Sequence, residues 1–583
     1  MSKGSALRAI LLTIGLAIIG AALFAQELGL DPSPGWGRGR LGLLILGVCV
    51  VLAAELYRRY EAATLRWSSK RWSRLRDLPV IQGIRQNGAL LHLAGLLRLY
   101  WFLIPILILI LLIYVWFVSA GTWTTWISPT HLYADQARGF LRGNLYIAMK
   151  VPEHLLTGID PFSLGKAHLG YLDVSFFKGR YYLYWGPVPA LLLLLLHPIV
   201  AWRLGDLQVL MGLLASLLIV ECLLLVVIWD RFFKQLPKSM LVLALLLVGL
   251  SNPATYMLDY TRGARIYEAS ITGGQFFLMG GFLAAVTALG PPLRPLRLAA
   301  AGILWALAAG TRATLVVPVG FMALMAAWWV LGADQRWSKK LTQLIPLVVA
   351  LGLGFACLGW YNWARFGSVT ETGMYYQLNG TANWHEIYNQ LFGPVFIPQN
   401  LYNYLLYPFS FGAEFPYIHA EYSRAAPVFS SYALPSFYFA GKITGLVWTL
   451  PFAVFAAIPL VGALKRLRNR RLAENAPGTA DARALNWIAL TLCGTFLVAF
   501  GVLLSFFWAT MRYLEDVVPA LAILAVIGFW QGYVGIVRRP GQRRLYASAG
   551  VALAVLSIVV STLIALSVND ARLPLAAMLT AAK

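Results

Sequence analysis

Two kinds of residue in this sequence could do chemistry: carboxylates placed beside cations, and arginines placed where an anion would satisfy them. The first kind is concentrated in the segment Ser128–Gly143. Ser128 suits a helix N-cap, Pro129 the first helical position and Gly143 a stop. On that helix His131, Asp135, Arg138 and Arg142 follow i, i+4, i+7 and i+11 and share one face, with Tyr133, Ala137 and Phe140 on the apolar face opposite. The pattern describes an amphipathic helix lying on a membrane surface and presenting a carboxylate beside cations. It equally describes a solvated face in which Asp135 pairs with Arg138 or Arg142.

The second kind falls in three places. Asp259–Glu268 carries Arg262 and Arg265 on a polar loop leading into an apolar run. A guanidinium beside a bilayer suits a lipid phosphate, because it donates two parallel hydrogen bonds to phosphate oxygens; an ordinary interfacial anchor is the plainer alternative. Arg312 stands between two apolar stretches and must find an anion or backbone carbonyls. Met511-Arg512-Tyr513-Leu514-Glu515-Asp516 offers a third arginine, with Asp516 spaced to pair with it on a helix. Phosphate-loop, HExxH and GxSxG patterns are absent. The histidines show no ligand spacing apart from His131 with Asp135, four residues apart, and a divalent metal there is not favoured.

The elements that must position these residues are membrane spans. Of 583 residues 59% are hydrophobic and 12% charged, more apolar surface than a soluble fold of this size could bury. Leu210–Val227, Leu241–Leu250 with its flanks, Ile443–Val461 and Val551–Leu566 are runs of the kind that cross hydrocarbon. The net charge of +23 sits in short loops between apolar runs, the positive-inside pattern, which argues against nucleic acid as a partner. The four cysteines lie in separate apolar runs and suggest neither a disulfide framework nor a metal site.

Loop charge also fixes the register. If both Tyr181–Trp202 and Leu207–Trp229 crossed, the basic loop Arg231–Lys238 and those after it would fall outside. Treating Gly186-Pro187-Val188-Pro189 and His197-Pro198 as marks of an interfacial or re-entrant helix returns Arg231/Lys234/Lys238, Arg294/Arg297, Arg336/Lys339/Lys340, Lys465–Arg471 and Arg538–Arg544 to the inside. Leu298–Leu331 is apolar for about 34 residues, or about 50 Å of helix against a core of about 30 Å. It is therefore expected to be two spans, with Arg312 at the outer turn. The result is an all-α integral membrane protein of about 13 transmembrane helices. Residues 1–99 are expected to form a two-helix hairpin plus a basic cytoplasmic segment, and 100–583 the catalytic domain, with large outer loops 121–208 and 362–440.

The order of these elements resembles the GT-C superfamily of membrane glycosyltransferases, including protein O-mannosyltransferases, lipid A aminoarabinose transferases and bacterial mannosyltransferase-like proteins. The stretches that carry the resemblance are Tyr133–Tyr146, Gly179–Ala190, Tyr361–Gly367 and Arg512–Asp516. It implies a polyprenyl-phosphate sugar as donor and attack by an acceptor hydroxyl with inversion, the acceptor being glycan, lipid or protein. Asp135 takes the position of the family's catalytic base. The resemblance also implies that Arg265, Arg312 and Arg512, with Arg262 and His131 nearby, hold the donor phosphate, and that Asp173, Glu268 and Asp516 orient the arginines or contact sugar hydroxyls. Protein mannosyltransferases often carry an Asp-Glu pair where this chain has Asp135-Gln136, which favours a site without metal. The implied location is a bacterial inner membrane with the active site outside. A transporter or flippase of lipid-linked sugars, or an oligosaccharide polymerase or ligase, are the alternatives.

Overall fold

In the computed structural model the described residues are 15, 18–22, 40–48, 50–51, 99–119, 121, 123–124, 126, 128–147, 149–157, 160–163, 173–196, 204–251, 254–258, 265–289, 294–379, 384–413, 415–423, 433–468, 479–535 and 540–569. Of the expected spans at about 9–25 and 41–57, residues 15, 18–22, 41–48 and 50–51 are described and helical, while the basic segment after them and Arg262 lie outside the described residues. The chain divides into two compact units, Met1–Trp126 with Ala571–Lys583, and Ile127–Asp570. The first contributes the apolar helix α1 (Ile104–Val118), started by Pro105 near its N-terminus and ended at Ser119. All candidate site residues belong to the second.

The second unit is a helical membrane bundle. Its helices are α2 (Leu132–Leu141), α3 (Val188–Leu196), α4 (Asp206–Ile228), α5 (Lys238–Leu250), α6 (Ile266–Ala288), α7 (Pro295–Thr311), α8 (Val316–Leu331) and α9 (Trp337–Phe366), then α10 (Ala457–Arg468), α11 (Thr479–Leu504), α12 (Val518–Gly535) and α13 (Pro540–Asn569). Among the described residues nine helices are long and apolar enough to cross a membrane, and Pro295–Thr311 and Pro451–Gly462 are shorter apolar helices. The bundle core is α6 packed between α4 and α7. The Gly273-Gly274 and Gly280-Gly281 pairs on α6 allow close approach: a Cβ at Gly281 would meet the Trp305 indole at 2.4 Å. Helix α9 leaves Ile345, Val348, Leu353, Trp360 and Trp363 exposed along it, an apolar surface suited to lipid.

Of the expected interfacial or re-entrant helix, Val188–Leu196 is helical (α3), and His197-Pro198 lie outside the described residues. The long apolar stretch breaks at Arg312, where φ −146° and ψ 113° are incompatible with helix. Ile443–Val461 is not one continuous helix: a turn of helix at Leu446–Thr449 gives way to a 3-10 stretch at Pro451–Ala456, because Pro451 lacks the N–H that would continue the ladder.

Strands are few and short. Ser175–Phe177 (β1) and Arg180–Tyr182 (β2) form an antiparallel hairpin with Ser175 opposite Tyr182. Lys178 and Gly179 both have positive φ at its tip, as a two-residue hairpin loop requires. The aromatics of 362–440 are partly gathered into a small core of Trp384, Leu391, Phe396 and Phe507, while Phe411, Tyr417 and Tyr422 remain exposed.

Candidate functional site

The ends of several helices meet at one face of the bundle. Thr311 at the C-terminus of α7 has a carbonyl that receives the Ser270 hydroxyl of α6 at 3.1 Å and the Gly186 N–H at 3.2 Å. Gly186 approaches so closely that a Cβ would stand 1.8 Å from the Gly310 carbonyl oxygen, so the residue must be glycine there. This contact seats Gly186-Pro187-Val188-Pro189 against the turn that carries Arg312. Arg365, buried near the end of α9, ties the same segment from another side. It donates to the Leu183 carbonyl at 2.6 Å and the Asn362 side chain at 2.8 Å, over the Tyr361 ring.

On this scaffold three arginines from three separate elements converge. Arg312 donates from Nε and Nη2 to Asp516 Oδ2 at 3.0 and 2.8 Å, and its guanidinium lies 5.3 Å from the Tyr513 ring. Arg512 donates from Nη1 to Glu268 Oε1 at 3.3 Å and lies over Tyr267 at 4.5 Å and Tyr513 at 5.6 Å. Arg265, at the N-cap of α6, reaches the same Glu268 oxygen at 3.8 Å. The Asp516 backbone is held by Gln275 of α6, whose amide donates to its carbonyl at 3.1 Å.

Burial pushes the Asp516 carboxyl above its ordinary pKa, with Arg312 opposing the shift. Burial alone would lower the pKa of Arg512, but Glu268, Tyr513 and Tyr267 outweigh it, so its charge is held more firmly than usual. Donor and acceptor capacity remains in the cluster. Arg512 Nε, Glu268 Oε2 and Asp516 Oδ1 are buried and make no hydrogen bond. A guanidinium has five N–H groups, so these arginines can engage an oxyanion while keeping a carboxylate.

The structure brings together Asp173, Arg265, Glu268, Arg312, Arg512 and Asp516. Asp173 joins through its electrostatic reach to Tyr184 and Tyr267, the latter carrying Arg512. The i, i+4 pairing of Arg512 with Asp516 does not form. Met511–Asp516 is a 3-10 turn, in which three residues rather than 3.6 complete a turn, and each side chain finds a partner on another element.

Asp135 lies on α2 and His131 at its N-cap. The polar face is as the spacing indicates, with His131 and Arg142 exposed and Tyr133 and Ala137 buried. Asp135 forms an ion pair with Arg138, the plainer of the two alternatives. The buried face reaches the bundle through Gln136, which donates to the Tyr361 hydroxyl at 2.7 Å, and through Tyr133, which lies within electrostatic reach of Arg312. Ser128 does not cap α2. The helix begins at Leu132, and Asp206 caps it from α4, accepting the N–H of Leu132 at 2.9 Å and of Tyr133 at 3.1 Å. Ser128 instead accepts the N–H of Leu207 at 3.1 Å, so the two helix starts cap each other. Asp206, Gln275 and Gln377 went unmarked in the sequence, since each acts on a partner distant along the chain. Among the described residues no group of three or more His, Cys, Asp or Glu could hold a metal ion.

No protein-family model matches the chain, and no curated protein matches it. Solved structures to which it is similar include the apo oligosaccharyltransferase of Archaeoglobus fulgidus, at 14% identity and TM-score 0.39, covering 79% of this chain and 56% of that one. Another is AglB from the same archaeon in complex with an inhibitory peptide and a dolichol-phosphate, at 12% identity and TM-score 0.38, covering 82% and 56%. A third is that oligosaccharyltransferase tethered to an acceptor peptide, at 14% identity and TM-score 0.37, covering 82% and 56%. The chain thus matches little more than half the length of these oligosaccharyltransferases.

Proposed function

We propose that this integral membrane protein transfers a sugar from a polyprenyl-phosphate donor to an acceptor hydroxyl at the outer face of a bacterial inner membrane, without a metal. The observation that carries this reading is the convergence of Arg265, Arg312 and Arg512 at one end of a membrane bundle. A lipid phosphate would lie at that depth, and its leaving charge would be stabilised by guanidinium donors already in place. Arg262 and His131 are further candidates for contact with the phosphate, Glu268 and Asp516 hold the arginines, and 100–583 is the catalytic domain. The acceptor is a glycan, a lipid or a protein.

Asp135 is the proposed general base for inverting attack, a role typically worth about 10²–10⁴-fold in rate. Its ion pair with Arg138 must open or shift for it to accept a proton from the acceptor. Asp135→Asn tests this in membranes supplied with radiolabelled polyprenyl-phosphate sugars, with Arg142→Ala as the control for folding. Transfer falls at least about 10²-fold in Asp135→Asn at equal expression and persists in Arg142→Ala. Normal transfer by Asp135→Asn would confine Asp135 to the ion pair.

Glu221 favours a second reading, passage of a lipid-linked sugar across the membrane. It is buried within α4, and its Oε1 makes no hydrogen bond; ionisable groups inside a membrane often mark transport paths. A donor panel including oligosaccharide lipids separates simple transfer from polymerase or ligase activity.

A further inference from the structure

Beside the arginines stands a polar group that neither the phosphate role nor the general-base role uses. Gln377 is buried and donates both hydrogens of its amide nitrogen, to Asp173 Oδ1 at 2.9 Å and to the Tyr184 hydroxyl at 3.2 Å. Backbone contacts fix Gln377 and Asp173. The Asp173 N–H donates to the Leu378 carbonyl at 2.7 Å, the Leu378 N–H to the Val174 carbonyl at 2.8 Å, and Ser175 bridges antiparallel to Gln377. Asp173 itself sits at φ 62°, a left-handed conformation that aspartate tolerates better than most residues and that its surroundings must maintain.

The group is one aromatic layer from the arginines. Tyr184 lies against Trp185 with ring centroids 4.0 Å apart and planes tilted by 30°, and Trp185 meets Tyr267 edge-on at 5.0 Å. Tyr267 in turn carries the Arg512 guanidinium. Asp173 and Tyr184 are both only partly buried, so both are open to a ligand.

The hydrogen-bond inventory then selects the ligand. With both hydrogens of Gln377 engaged, what remains is the carboxylate of Asp173, which only accepts, and the Tyr184 hydroxyl, which both donates and accepts. A carboxylate at this position disfavours a second anionic group and suits hydroxyl donors. We propose that Asp173 and Tyr184, positioned by Gln377, form a subsite that recognises the ring hydroxyls of the donor sugar and sets its identity. This rests on the reading of the arginines as the donor-phosphate site. Polar sites of this kind discriminate strongly against an analogue that lacks the hydroxyl, because their own groups are left unpaired.

The test uses the full-length protein in lipid nanodiscs, titrated calorimetrically with inorganic phosphate, a panel of sugar 1-phosphates and their monodeoxy analogues. The wild-type protein binds one sugar 1-phosphate more tightly than phosphate, and one deoxy analogue about 10–100-fold more weakly than its parent. Asp173→Asn and Tyr184→Phe, both close in shape to the originals, reduce that discrimination towards unity while inorganic phosphate binds as before. Gln377→Ala does the same, which loss of a merely structural contact would not do selectively. Full discrimination in all three variants, with phosphate bound normally, overturns the subsite and leaves the arginines as the phosphate site. Equal loss of phosphate and sugar-phosphate binding in the variants also overturns it, because the group would then be part of the anion site. A wild-type protein that binds neither phosphate nor any sugar phosphate refutes the phosphate reading and the subsite with it.

Discussion

Lysine in place of Arg312 keeps a cation at the break between α7 and α8 but cannot donate from two nitrogens at once to the Asp516 oxygen. Arg312→Lys is therefore expected to lower sugar transfer by about 10²-fold or more, the usual cost of removing one preorganised electrostatic donor. Initial rates at matched expression check it, and a rate equal to wild type would mean that charge alone suffices there. Asp516→Ala leaves Arg312 without its carboxylate, and a buried pair broken this way loses about 3–5 kcal/mol of stability; thermal inactivation in detergent reads that loss. Arg312 was legible as a residue needing an anion, because a mid-bilayer guanidinium is costly wherever it has no partner. Its actual partner was not, since Asp516 lies 204 residues further along the chain. Neither was Glu268 as the shared anion of Arg265 and Arg512, a pairing that depends on how α6 packs against the 3-10 turn.

At the scale of elements, function depends on how closely two turns approach. Gly186 and Gly310 bring the Gly-Pro-Val-Pro segment within reach of the Arg312 turn. Gly186→Ala forces the two backbones apart and should cost about 1–3 kcal/mol as overpacking, with a parallel loss of transfer as Arg312 shifts. Gly212→Ala on α4, where an added Cβ meets nothing within 4 Å, should leave both unchanged. Thermal melts of the two variants decide it, and equal behaviour would contradict the close approach. The break at Arg312 could be read from length, because the apolar run exceeds what one span can bury. The mutual capping of α2 and α4 could not. Ser128 satisfies every local rule for an N-cap, yet Asp206, 74 residues beyond Leu132, offers a carboxylate to the N–H groups of Leu132 and Tyr133 and outcompetes a single hydroxyl.

For the whole molecule, the candidate site and the basic loops occupy opposite ends of the helices. Arg312, Asp516 and Glu268 gather at one end, while Arg231 pairs with Asp481 at the start of α11. By the positive-inside rule this arrangement supports the proposal that the site faces outward. With Cys49, Cys222, Cys357 and Cys493 replaced by serine, cysteine at Arg142 should react with an impermeant maleimide on intact cells, and cysteine at Lys234 only after lysis. The reverse pattern would invert the protein and put the arginines in the cytoplasm. Hydropathy and loop charge made this architecture readable because lipid imposes them on every span. The assembly of the polar cluster depends on side chains from distant spans and leaves no local pattern.

We propose above all that the arginine site breaks a sugar–phosphate bond at the lipid donor. The direct test is to supply the purified protein in nanodiscs with acceptor and a polyprenyl-phosphate sugar labelled in both parts, and to quantify the products. Transfer predicts that free polyprenyl phosphate and glycosylated acceptor appear one for one. Recovery of the donor intact across a broad panel of sugars and acceptors, or its movement across a sealed bilayer without cleavage, would contradict the account.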